Sequence, residues 1–100
     1  MIDQDKPMAV VAVRAEQVEL MLHCIGYTPQ RVKRGKYIAF RNYFTTNGPR
    51  WEWDRLVEYG YADVEPFPQG CSPAAKMYSV TRKGMDFLEG VTGVKIEEDD

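Results

Sequence analysis

His23 and Cys24 are the first side chains along the sequence able to do covalent chemistry, and they are neighbours. Consecutive residues of a helix point about 100° apart, so this imidazole and thiol do not face each other as base and nucleophile. Cys71 is the second cysteine and His23 the single histidine. Together the three lack CxxC or any other zinc-type spacing. A GxxxxGK[ST] or GxGxxG phosphate loop is absent as well. Glu97, Glu98, Asp99 and Asp100 lack the regular spacing of a calcium loop and read as a solvated acidic tail. These observations predict no enzyme, no metal and no cofactor. The remaining chemistry is ionic. Residues 31–55 hold Arg31, Lys33, Arg34, Lys36, Arg41, Arg50 and Arg55 against Glu52 and Asp54, and Lys76, Arg82 and Lys83 form a second basic group. Net charge is −2, yet the acids crowd the ends. With Asp3, Asp5 and the last four residues set aside, residues 6–96 carry nine acids against thirteen bases. A basic middle between acidic ends suits either an anion-binding surface or a solvated loop.

The elements that must position these charges follow from hydrophobic spacing. Val11, Ala15, Val18, Leu22 and Ile25 form one helical stripe. Gly26 is placed to stop that helix in the left-handed conformation, Tyr27 to pack back over its last turn, and Pro29 to block continuation. Its start, near Pro7, is open to a strand because Val10, Val11 and Val13 are β-branched. Residues 28–36 read as a loop and residues 37–39 as a short strand. For residues 40–46 the spacing of Phe40, Tyr43 and Phe44 favours a short helix, although Ile38, Phe40 and Phe44 also satisfy alternation. Pro49 opens a helix over residues 49–59, capped by Gly48 or Asn47, with Trp53, Leu56 and Val57 on its inner face and Gly60 at its end. Residues 61–65 and 76–81 alternate as two strands of a hairpin around the Pro/Gly-rich loop 66–75. A last helix, residues 82–89, is capped by Thr81, with Met85 and Leu88 inward and Val91, Val94 and Ile96 behind them.

The chain of 100 residues, 44% hydrophobic, is sized for one core. The expected organisation is a flexible segment 1–7, one domain over residues 8–96 and the tail 97–100. The longest apolar run, residues 8–13, is too short to span a membrane or serve as a signal peptide, and Asp3 and Asp5 precede it where a leader would be basic. A cytoplasmic location follows as the default, with both cysteines reduced.

The strings WEWDRLVEYGYADV and KMYSVTRKGMDFL resemble winged-helix regulators, in which a helix ends in Leu-x-x-x-Gly-aromatic before the wing and the second wing strand ends in Val-Thr-x-x-Gly before another helix. The matching positions are Leu56, Gly60, Tyr61, Val80, Thr81 and Gly84. RNYFTT, LVEYGYA and YSVTRKGMDFL together are also similar to small proteins of phages and prophages of unassigned function. The resemblance covers residues 14–96 and implies a small α+β winged-helix domain, its helices packed on a two- or three-stranded antiparallel sheet.

In such a fold the helix at 49–59 would enter the major groove. Its outward side chains Arg50, Glu52, Asp54, Arg55 and Glu58 sum to −1, a poor match to phosphate. Two readings result. One is a nucleic-acid-binding regulatory or accessory protein that grips the backbone through Arg31, Lys33, Arg34, Lys36, Arg41, Arg50, Arg55, Lys76 and Arg82. Tyr37 and Tyr43 then either stack on unpaired bases or fill the core with Phe44. The other is a protein-interaction module, self-associating or with another protein, that uses exposed Trp51 and Phe67. Neither reading calls for a membrane or a small-molecule substrate.

Overall fold

The computed structural model describes residues 12–70 and 72–99. The segment 1–7 with its Pro7, Val10, Val11, Cys71 and Asp100 lie outside them; within the described residues the first helix, expected from near Pro7, begins at Ala15 after an extended Arg14. The described chain runs α1 (Ala15–Cys24), a single 3-10 turn (Pro29–Arg31), β1 (Lys36–Ala39), β2 (Phe44–Thr46), α2 (Trp51–Glu58), β3 (Ala62–Pro66), β4 (Lys76–Val80), α3 (Arg82–Thr92) and β5 (Lys95–Glu98). It is a small α+β fold with a three-stranded antiparallel sheet, β2-β4-β3, and a separate parallel pair, β1-β5.

α1 and α2 end in the same device. Gly26 and Gly60 take φ of 71° and 81°. In each case the residue after the glycine donates back to the helix, Tyr27 N–H to Leu22 O and Tyr61 N–H to Leu56 O, both at 2.9 Å. These are Schellman closures, which need a left-handed residue that glycine adopts without steric cost.

The buried face of α1 is rotated by one residue from the expected stripe. Gln17, Met21 and Cys24 point inward, while Ala15 is exposed and Val18 and Leu22 are half-buried. Gln17 is buried because both ends of its amide are used. Its Oε1 accepts from the Arg14 N–H at 2.7 Å, and its Nε2 donates to the Glu52 carbonyl of α2 at 3.0 Å. Hydrophobic spacing alone cannot register a polar residue buried by its hydrogen bonds.

The short helix expected over residues 40–46 is replaced by strand β2. Thr45 and Thr46 are β-branched and gain ladder partners on β4, with Phe44 opposite Tyr78 and Thr46 opposite Lys76. The cap expected from Asn47 or Gly48 is also replaced. α2 begins after Arg50, and the Tyr78 hydroxyl from β4 accepts the Arg50 N–H at 3.2 Å and donates to Asp54 Oδ1 at 2.7 Å. Glu97 and Glu98, expected in a solvated tail, instead belong to β5, which pairs in register with β1 from Lys36–Lys95 to Ala39–Glu98. The last helix is longer than expected and leaves Val91 exposed, whereas Ile96 is fully buried.

The core gathers Met21, Ile25, Tyr37, Trp53, Leu56, Tyr78, Val80, Met85, Leu88 and Ile96 from every layer. Trp53 stacks on Tyr78 with ring centres 5.3 Å apart, and Phe44 packs against Trp53 at 5.4 Å. The six residues that carry the family resemblance meet at one junction. The Thr81 hydroxyl donates to Gly60 O at 2.7 Å and accepts from Gly84 N–H at 3.1 Å, capping α3. Thr81 N–H donates to Tyr61 O at 3.1 Å.

Candidate nucleic-acid interface

The basic segment is organised by a tight turn. Lys33 N–H donates to Lys36 O at 2.8 Å and Lys36 N–H to Lys33 O at 3.0 Å. The two residues between them have positive φ, 56° at Arg34 and 75° at Gly35, the pattern of a type I′ hairpin turn. Among the described residues Arg34 is the one non-glycine residue with positive φ. An arginine there costs on the order of 1 kcal/mol, and the turn holds its guanidinium at an exposed tip. β5 supports the turn from behind, where Lys95 N–H donates to Gly35 O at 2.9 Å.

β1 leads away from this tip with strict alternation. Tyr37 and Ala39 point inward, and Lys36, Ile38 and then Phe40 point outward. Arg31, Lys33, Lys36 and Ile38 line a shallow groove beside the turn. Phe40 is 48% exposed, and the Arg31 guanidinium sits 4.4 Å above its ring centre. Arg41 lies 5.9 Å from the same ring and donates through Nη2 to His23 O at 2.7 Å. The ring also rests on the α1 terminus, since a Cβ on Gly26 would come within 2.6 Å of it.

The loop between β1 and β2 is fixed by Asn42. Its Nδ2 donates to Val80 O and its Oδ1 accepts from Val80 N–H, both at 2.8 Å. The side-chain amide thereby makes the two bonds that a backbone residue opposite Val80 would make, extending the β2–β4 ladder. Tyr43 N–H donates to Cys24 O at 3.3 Å, and the Tyr43 side chain is 53% exposed.

The other expected contact residues fall elsewhere. Lys76 opens β4 opposite Thr46, at the end of the sheet remote from Asn42. Arg50 pairs with Glu52 at 3.4 Å and Arg55 with Glu58 at 3.7 Å, so the basic side chains at the cap and on the face of α2 are matched by acids of α2. Arg82 touches Asp86 and Glu89 at 3.0 Å and Glu98 at 3.9 Å. Lys83 folds back, donating to Tyr59 O at 3.1 Å. Lys36 remains at the turn but faces Glu97 at 3.3 Å. Arg31, Lys33, Arg34 and Arg41 pair with no carboxylate among the described residues. Of the nine candidates, Arg31, Lys33, Arg34, Lys36 and Arg41 lie together on the turn and the strand that leaves it, and Arg50, Arg55, Lys76 and Arg82 lie on other elements.

Sequence reasoning missed Phe40 and Ile38 as outward residues. The inward fit of Tyr37 and Ala39 is the signal that identifies them. It also missed Lys95, set opposite Lys36 by a long-range parallel pairing that leaves no local trace. Of the two tyrosines, Tyr37 is core, donating its hydroxyl to Ile25 O at 2.7 Å, and Tyr43 is outside. Trp51 is 54% exposed, whereas Phe67 is half-buried beside Gly70.

Cys24 is committed to packing. Its Sγ donates to Asn42 Oδ1 at 3.3 Å, and burial pushes the thiol up to about 12, far from a thiolate at neutral pH. His23 points outward, its ring edge against Phe44 at 5.8 Å. Among the described residues, no three His, Cys, Asp or Glu side chains gather as a metal site, and no helix is long and apolar enough to cross a membrane. Compared with known proteins, the chain matches no family model, no curated protein and no solved structure.

Proposed function

We propose that the protein binds nucleic acid by its phosphate backbone, through the turn and strand that carry Arg31, Lys33, Arg34, Lys36 and Arg41, as a small regulatory or accessory protein of the phage type, working in the cytoplasm. The observation that carries this reading is the segregation of charge. Among the described residues four of these five cations lack a carboxylate partner, while Arg50, Arg55 and Arg82 each meet acids and Lys83 is turned onto the Tyr59 carbonyl. Backbone neutralisation by lysine and arginine supplies most of the affinity for nucleic acid. The reading includes a winged-helix-like frame, in which α2 leads through Gly60 into a β3–β4 hairpin that β2 widens. It departs from the usual winged helix in that strand β2 stands where a helix would precede α2, and the paired charges of α2 leave it ill suited to enter a groove.

A fluorescence-anisotropy titration with a labelled oligonucleotide tests the proposal. Four phosphate contacts, with Lys36 held by Glu97, make affinity for a single strand fall by about 50-fold between 50 and 200 mM salt. Arg34→Glu, at the exposed tip, weakens binding by about tenfold or more and flattens that salt dependence. No binding to any nucleic acid at low salt overturns the proposal.

A protein-interaction module is the second reading, favoured by Trp51 at the start of α2, more than half exposed with the Arg14 guanidinium 5.6 Å over its ring. It ranks second because, apart from Ile38, Phe40 and Tyr43 on the basic segment itself, the exposed apolar side chains Trp51, Val64 and Val91 sit on three different elements, and scattered ones are ordinary on monomers.

A further inference from the structure

We infer that this surface selects single-stranded over duplex nucleic acid, an inference that rests on the backbone-binding reading above. The distinguishing feature is the pair of exposed aromatic residues on the basic segment, with Arg41 beside each of them and Glu98 and Asp99 at the edge of Phe40. Phe40 and Tyr43 are 48% and 53% exposed. The Arg31 guanidinium carbon sits 4.4 Å over the centre of the Phe40 ring, and Arg41, between the two aromatic residues in sequence, lies 5.9 Å from the same centre. In a duplex the base faces are covered by neighbouring bases, so outward rings add nothing to backbone contact. An unpaired base offers its face and continues the Phe40–Arg31 layering, or stacks on Tyr43.

Two further observations point the same way. The loop that carries both rings is tied to the core by backbone-directed hydrogen bonds, from the Asn42 amide to Val80 and from Tyr43 N–H to Cys24 O. A fixed stacking platform loses little entropy on binding. The element a duplex reader would insert, α2, offers Arg50 and Arg55 already paired to Glu52 and Glu58. The occupant is therefore a flexible polyanion with free aromatic faces. An acidic peptide shares the charge and lacks the bases.

The test uses the full chain, a labelled oligo-dT of about twelve nucleotides, within the usual range of single-strand sites, and a hairpin duplex with the same number of phosphates. At low salt the oligo-dT binds at least about tenfold tighter than the duplex, and Phe40→Ala and Tyr43→Ala each reduce that ratio by about tenfold. Tyr43→Ala guards against a folding defect in the Phe40 variant, and thermal melts of both are run alongside. Equal affinity for the two ligands, an unchanged ratio in both variants, or displacement of oligo-dT by polyglutamate at equal charge overturns the single-strand inference while leaving anion binding standing. Failure of both nucleic acids to bind removes the underlying function together with it.

Discussion

Gly84 and Gly90 sit in the same helix and have opposite reasons to be glycine. Gly84 lies where α3 crosses the start of β3, and a Cβ there would collide with the Tyr61 carbonyl and come within 2.7 Å of Val80 Cγ1. Backbone cannot yield to a methyl group as a flexible side chain can. Around Gly90 there is nothing within 4 Å. Alanine is favoured over glycine by about 1 kcal/mol in a helix interior, and that gain is available only where the new methyl group meets open space. Gly84→Ala should therefore lose about 1–3 kcal/mol through overpacking, while Gly90→Ala should gain about 0.5–1 kcal/mol. Urea unfolding of the two variants checks this. Equal effects at both sites would mean that α3 does not approach Tyr61 as described. The family-like Val-Thr-x-x-Gly string is thus a packing requirement: threonine caps the helix and glycine admits the neighbouring strand.

At the scale of elements, legibility tracked locality. Helix ends were readable because Gly26 and Gly60 stop their helices by local backbone geometry, and Thr81 caps α3 within three residues. The hairpin strands were readable from alternation. β2 was not, because Phe40, Tyr43 and Phe44 recur at helical spacing while Ile38, Phe40 and Phe44 alternate, and the decision came from β4, thirty or more residues away in sequence. β5 was misread for the same reason: a run of acids looks solvated, yet Lys36 and Arg82 receive Glu97 and Glu98, and Asp99 N–H donates to Ala39 O at 3.1 Å. These contacts make ending the chain after Ile96 costly. The truncated protein should lose about 1–3 kcal/mol through unpaired β1 backbone groups, measured as a lower melting temperature. A solvated tail would change stability by no more than about 0.5 kcal/mol.

Across the whole molecule, the sequence revealed that positive charge concentrates in residues 31–41 but not which cations are available, because pairing depends on tertiary neighbours. Arg82 looked as promising as Arg31 until α3 and β5 surrounded it with three carboxylates. The fold separates a basic turn from the acid-matched arginines Arg50, Arg55 and Arg82, and Glu97 sits beside the turn on β5. Its pair with Lys36 spans 3.3 Å with both side chains more than 40% exposed, so it contributes little to stability, about 0–1 kcal/mol. It does hold Lys36 back from a phosphate. Glu97→Gln should leave the unfolding midpoint nearly unchanged and tighten binding to an oligonucleotide at low salt. Freeing one more cation should steepen the plot of log affinity against log salt by about 0.7, the contribution of a single phosphate contact on a single strand. A slope equal to the parent's would show that Lys36 lies outside the contact surface and that the interface ends at Arg34. A loss of affinity would show that Glu97 itself faces the ligand, a result incompatible with a polyanion lying along β1.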